Sequence, residues 1–244
     1  MRNYYFTKTF NGDVALSISN GVTADLLTEI AKTTSYEHLI VGDGDWEDLL
    51  FLKPIASKLT KLTIIGDDEL DASLISEMSE LKLLKIIGYM KGRWKIKFSN
   101  LKKLKHVDID YFDRKYGEIF QLPQVEELHI KKYDRPDLTE LGNMRELRVL
   151  NLAQGKLTTL EGIKALEKLE QIELTYLRNL SDVQEMSSLK NLKSFQLAKC
   201  PKLNEEILIK QLGNFMRLRA MSFFNTNEEA INIKEGYRNQ GLAR

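Results

Sequence analysis

The sequence predicts an α/β solenoid, a fold in which short turn-and-strand units stack one on the next. Pairs of apolar residues separated by one position recur along the chain at intervals of 21 to 26 residues. The alternation within a pair is typical of a strand with one buried face. The pairs are Leu16/Ile18, Leu39/Val41, Leu62/Ile64, Leu84/Ile86, Val107/Ile109, Leu128/Ile130, Leu150/Leu152, Ile172/Leu174, Phe195/Leu197 and Met221/Phe223.

A second periodicity precedes most of these pairs, because apolar residues recur there at every third position. Before Leu150, for example, the series is Leu141, Met144 and Leu147. This spacing favours a short helix or a 3₁₀ turn. One turn and one strand cannot bury their own apolar face, so neighbouring units must share a core.

The clearest copy of the unit runs from Leu147 to Leu157 and reads LRVLNLAQGKL. It resembles the leucine-rich-repeat family, whose pattern is L-x-x-L-x-L-x-x-N/C-x-L. Similar units of about 22 residues occur in bacterial internalins and eukaryotic phosphatase regulators. The resemblance covers about residues 14–224. It implies a curved, right-handed coil with about ten parallel strands on the concave side and short helices or turns on the convex side.

The chain departs from the family at the position where asparagine normally bonds the loop backbone between coils. Other residue types stand there, which predicts a less regular coil. They are Asp67, Tyr89, Phe112, Tyr133, Gly155, Leu177 and Cys200. Cys200 is interpreted as a buried residue of this ladder, because a catalytic thiol needs a nearby histidine and none occurs after His129.

We expect one domain over residues 1–244, with caps at both ends of the coil. Residues 1–35 are predicted to form a hairpin and a helix, which together cover the first coil. The hairpin turns at Asn11-Gly12. Residues 36–224 are predicted to form the repeats. Thr23 or Asp25 can cap that helix. Residues 225–244 form a second cap or a tail, preceded by a longer helix over 205–215.

Composition narrows the function classes. Lys and Arg number 36 against 35 Asp and Glu, so the net charge of +1 gives no global attraction to nucleic acid or acidic lipid. The single cysteine excludes a disulfide framework within the chain and a thiolate zinc site. No apolar run suits a signal peptide or a membrane span. We therefore expect a cytoplasmic protein that binds neither nucleic acid nor membrane and needs no cofactor. The resemblance to internalins implies a bacterial source, and we expect a monomer.

Residues that flank each buried pair point to the other face of the sheet, which is the concave face of the expected coil. This rule places all three histidines, His38, His106 and His129, on that face. Exposed apolar groups beside charges are typical of protein interfaces. The residues predicted to bind a partner are Lys85, Ile87, His106, Asp108, Asp110, His129, Lys131, Asn151 and Glu173.

Two other interpretations of these residues remain open. They can form a ladder of cross-strand charge pairs that only stabilises the sheet. Asp108 and His129, on consecutive strands, can also form an acid–base or metal site, although no third ligand or nucleophile is specified.

A phosphate-binding glycine loop, a paired zinc motif and a nucleophile elbow are absent from the sequence. The favoured function is therefore a non-enzymatic module that binds a protein partner. An immunity protein that neutralises a toxin and a regulatory subunit are the alternatives, and an enzyme that uses Asp108 and His129 is less favoured.

Overall fold

The computed structural model describes residues 3–10, 12–42, 44–66, 70–89, 95–203, 208 and, for the backbone, 220–224. The chain divides into two compact units, Met1–Gln124 and Val125–Arg244. Both are built from the repeated turn and strand. The helix predicted over 205–215 and the cap or tail over 225–244 fall outside the described residues, apart from Leu208.

Six strands follow one another in chain order in the first unit. The first two form an antiparallel hairpin through Gly12, which has a φ of +86°, and each later strand pairs in parallel with the one before it. The strands are β1 (Tyr4–Lys8), β2 (Val14–Ile18), β3 (His38–Val41), β4 (Lys61–Ile65), β5 (Leu83–Ile87) and β6 (His106–Ile109).

The described residues of the second unit form five strands, and each is parallel to the next. The register is regular, so that Leu150 on one strand stands beside Leu128 and Ile172 on its neighbours. The strands are β7 (Glu127–Lys131), β8 (Val149–Ala153), β9 (Gln171–Thr175), β10 (Ser194–Ala198) and β11 (Ala220–Phe224).

Short helical segments connect the strands, as the spacing of three predicts. Among the segments whose full length is described, two are α-helices, α1 (Ala24–Thr33) and α2 (Lys53–Ala56). Thr23 caps α1, because its Oγ1 accepts a hydrogen bond of 3.3 Å from the Leu26 backbone N–H. The 3₁₀ segments are Leu50–Leu52, Ser73–Glu77, Phe98–Asn100, Arg114–Gln121, Thr139–Asn143, Ile163–Ala165 and Gln184–Ser188.

The predicted core is confirmed wherever the structure describes side chains. Both members of every apolar pair from Leu16/Ile18 to Phe195/Leu197 are buried. The residues at the spacing of three are buried as well, including Leu141, Met144 and Leu147. The alternation places the remaining strand residues on the opposite side, which we call the open face of the sheet.

In place of an asparagine ladder, the second unit buries an aromatic, a leucine and a thiol. Tyr133, Leu177 and Cys200 have no exposed surface. The Tyr133 hydroxyl donates a hydrogen bond of 2.9 Å to the carbonyl oxygen of Asp137 in its own loop. Buried side chains of other types thus occupy the positions at which leucine-rich-repeat proteins normally have asparagine.

Candidate partner-binding face

Five of the predicted partner-binding residues lie in the first unit, on its last two strands, β5 and β6, and directly after β6. Lys85, Ile87, His106, Asp108 and Asp110 are all half-buried. The register sets Lys85 beside Asp108, and their side chains form an ion pair of 2.6 Å, 40% and 30% exposed. A pair with this exposure contributes little to stability, about 0–1 kcal/mol, but it presents both charges at a defined place.

Apolar and aromatic groups lie near this pair in the first unit. Ile65 and Ile87 stand side by side on β4 and β5, and both are half-buried. Beyond the strand ends, the rings of Tyr89 and Tyr111 lie 5.6 Å apart and are 44% and 37% exposed. Tyr89 is therefore on the surface rather than packed into the ladder row.

The other four predicted residues lie in the second unit, where a row of polar groups crosses four strands. Asn151 Nδ2 donates to His129 Nδ1 over 3.2 Å, and Asn151 stands beside Glu173 in the register. Gln196 Nε2 lies 3.5 Å from Glu173 Oε1 and extends the row to β10. We call His129, Asn151, Glu173 and Gln196 the polar row. Lys131, at the end of β7, is exposed.

Sequence reasoning did not select Gln196, although the same alternation places it on the open face. The signal that could have selected Gln196 is its position one repeat after Glu173, on the same side of the next strand. The predicted neighbour relation between Asp108 and His129 stays a prediction, since the two residues belong to different units.

His38 lies on the open face, as the alternation predicts, but it is buried there. Thr63 lies on the same face by alternation, and the two residues are only 9% and 4% exposed. His38 Nε2 and Thr63 Oγ1 are joined by a hydrogen bond of 2.8 Å. On the adjacent strand, Lys61 reaches Asp13 in an ion pair of 2.5 Å. Alternation assigns a side chain to a face, whereas its burial depends on what surrounds it there.

Burial of His38 predicts a pH-dependent stability. Burial lowers the pKa of His38 below its usual value of 6.5, and the nearby Asp13 carboxylate opposes this effect. At mildly acidic pH, the His38 side chain therefore takes up a proton when the protein unfolds. The unfolding free energy should fall as the pH drops below about 6.5, with a slope of at most about 1.4 kcal/mol per pH unit.

Urea unfolding of His38→Gln between pH 5 and 8, compared with the wild type, measures this effect. The variant should lose the part of the slope that His38 contributes. His106→Gln removes a half-exposed histidine of the same unit and serves as the control. Equal slopes for the wild type and His38→Gln would contradict the prediction.

The cysteine is placed as a structural residue. Cys200 has no exposed surface, and burial raises the pKa of its thiol to about 11. A thiol with so little thiolate at neutral pH is a poor nucleophile. Within the part of the chain that the structure describes, no three His, Cys, Asp or Glu side chains are grouped as metal ligands.

None of the helices among the described residues has the length and apolar character required to span a bilayer. Basic and apolar residues alternate in a stretch that contains Lys91, Arg93, Trp94, Lys95 and Lys97. Residues 90–94 of this stretch lie outside the described residues. The apolar residues that follow, Ile96 and Phe98, are core residues, as the periodicity predicts.

Comparisons with known proteins show likeness in structure alone. No family model matches the sequence. No curated protein matches it either. Among solved structures, an internalin (inlF) of Listeria monocytogenes is 18% identical, with a TM-score of 0.52, over 87% of this chain and 63% of that one.

A second likeness is to the mouse RP105/MD-1 complex, at 16% identity and a TM-score of 0.52. It covers 92% of this chain and 49% of the mouse chain. The matched region thus spans about half of the mouse chain and somewhat less than two thirds of the internalin chain. Together with the repeated sequence unit and the stacked parallel strands, these likenesses show that the chain has a leucine-rich-repeat fold.

Proposed function

We propose that this chain is a non-enzymatic, cytoplasmic protein-interaction module that binds a protein partner across the open face of its sheet. The polar row carries this proposal. Its four side chains are half-buried and lie side by side on neighbouring strands, with the hydrogen bonds given above. Side chains held in place before binding lose less conformational entropy when a partner docks.

The charges of the open face also suit a protein partner. The Lys85–Asp108 pair in the first unit presents both signs together, and the second unit presents Glu173 beside amide groups. Mixed polar groups next to half-buried isoleucines resemble the composition of protein interfaces. The mouse structure was solved as a complex, which agrees with an interaction role for this fold.

A charge-change pair tests the proposal in the second unit. The open-face variant is Asn151→Lys with Glu173→Lys. The control variant is Glu161→Lys with Gln184→Lys, which changes the net charge equally at exposed positions before and within the 3₁₀ segments. The partner is first isolated from the source cytoplasm on the immobilised wild-type chain, and its affinity is then measured by calorimetry.

The open-face variant should bind at least about 30-fold more weakly, as expected when a central interface contact is lost. The control variant should bind within about twofold of the wild type, since exposed charges outside an interface contribute little. Equal affinities of both variants for the captured partner would contradict binding at the polar row. Both variants are compared with the wild type by thermal unfolding.

A further inference from the structure

The loops that follow β7, β8, β9 and β10 collect positive charge at one edge of the second unit. Residues 132–135, 154–157, 176–179 and 199–202 contain six basic side chains and one carboxylate, Asp134. Arg135 is already paired with Asp134 and, at 2.8 Å, with Glu140. We call the six basic residues the basic rim. They are Lys132, Arg135, Lys156, Arg178, Lys199 and Lys202.

The opposite edge of the same strands is balanced in charge. Before the strands, Arg148 pairs with Glu170 at 2.7 Å, and Lys193 pairs with the same carboxylate. Lys168 pairs with Glu146 at 2.6 Å. The excess of positive charge is thus a property of one edge and not of the unit as a whole.

The rim is built on a regular backbone. The first residue of each loop has a left-handed φ between 55° and 60°: Lys132, Gln154, Tyr176 and Lys199. The backbone N–H groups of the first three donate to carbonyl oxygens of the next strand, at 2.7, 3.0 and 2.8 Å. Beneath them, the ladder residues Tyr133, Leu177 and Cys200 are fully buried. The four loops are therefore held at the spacing of the strands.

An exposed aromatic ring lies within this row. Tyr176 is 52% exposed, and the Lys199 ammonium lies 5.9 Å from the centre of its ring. At the far end, Lys202 Nζ lies 3.2 Å from Asn179 Oδ1. Lys132, Lys156, Arg178 and Lys202 are exposed. A tyrosine beside several cations is typical of a binding surface.

We propose that the basic rim is a second docking surface, separate from the open face, for an extended acidic segment of a partner protein. Four loops at the strand spacing of about 4.8 Å span about 14 Å, which about five extended residues can follow at about 3.3 Å each. Carboxylates along such a segment complement the five basic residues other than Arg135, and the Tyr176 ring offers contact area between them.

A protein segment fits this surface better than a nucleic acid. The rim is short, and the adjoining open face carries Glu127 and Glu173, whose carboxylates repel a longer polyphosphate. The net charge of the whole chain is only +1. Since charges are screened beyond about 8 Å at physiological salt, the rim attracts anions only locally.

Two triple charge reversals in the full chain test the assignment. The rim variant is Lys132→Glu, Lys156→Glu and Lys202→Glu. The matched control is Lys164→Glu, Lys168→Glu and Lys190→Glu, which reverses three exposed lysines of the same unit away from the rim. The probe is a fluorescein-labelled peptide of about eight glutamates, compared with the glutamine peptide of equal length.

Fluorescence anisotropy should show that the wild type binds the glutamate peptide, and that the rim variant binds it at least about tenfold more weakly. The control variant should lose less than about threefold, and the glutamine peptide should not bind. Equal loss in both variants, equal binding of both peptides, or no binding to the wild type would overturn the proposal.

Binding of a single-stranded oligouridine tests whether the basic rim instead binds nucleic acid. If it binds more tightly than the glutamate peptide and is lost in the rim variant, the surface is one for nucleic acid and the assignment to a protein segment is wrong. The open-face variant Asn151→Lys with Glu173→Lys should still bind the glutamate peptide. The proposals for the open face and for the basic rim can therefore be confirmed or contradicted independently of each other.

Discussion

Replacing Tyr133 by alanine should lower the free energy of unfolding by about 3–5 kcal/mol, as for other large aromatic side chains removed from a core. Tyr133 is fully buried in the ladder row of the second unit. Its removal leaves a cavity between loops, and the hydrogen bond from its hydroxyl to Asp137 is lost as well. Urea unfolding followed by circular dichroism measures the change.

Tyr133→Phe separates packing from hydrogen bonding at the same position. The phenyl ring fills nearly the same volume, so only the loss of one hydrogen bond is expected, about 1 kcal/mol. A loss for Tyr133→Ala no larger than that for Tyr133→Phe would contradict the view that an aromatic core replaces the asparagine ladder here. The burial that raises the pKa of Tyr133 above its usual value agrees with that view.

Gly162→Ala should destabilise the second unit by about 3 kcal/mol or more, because two costs add. Gly162 has a φ of +93°, a left-handed conformation that L-residues adopt at a cost of about 1–2 kcal/mol. An added Cβ would also lie 2.7 Å from the Thr139 Cα and N and 2.8 Å from the Leu138 carbonyl carbon. These are backbone atoms of the neighbouring repeat, which cannot rotate away.

Gly142→Ala is the matched control in the same unit. Its added Cβ would meet Ala165 Cβ at 3.7 Å, an ordinary contact, and its φ is not left-handed. This variant should leave stability within about 0.5 kcal/mol or raise it slightly, because alanine restricts the unfolded chain. Thermal unfolding of both variants checks the difference. Similar melting temperatures would show that the close approach at Gly162 is not rigid.

The repeat was predictable because its signal is local and occurs many times. Pairs such as Leu150/Leu152 indicate a strand with one buried face, and the apolar residues at every third position before them indicate a turn. Each unit repeats the evidence of the one before, and every pair whose side chains are described is buried. The same alternation placed Lys85, Asp108, Asn151 and Glu173 on the open face.

The contacts within the candidate site could be predicted only in part. The Lys85–Asp108 pair follows from adjacent strands and opposite charges. The hydrogen bond between Asn151 and His129 needs a side-chain conformation that no spacing specifies. The left-handed backbone of Gln154 and Tyr176 is also hidden in the sequence, because neither residue type favours it.

The period of apolar residues along the chain is enough to predict the strand register and the face on which each strand residue lies. Which side chains on the open face are buried, as for His38, and which charges pair with each other follow only from the packed structure. Burial and charge balance are set by neighbours some 22 residues away, as with Lys168 and Glu146. Such neighbours meet only after the repeats have stacked.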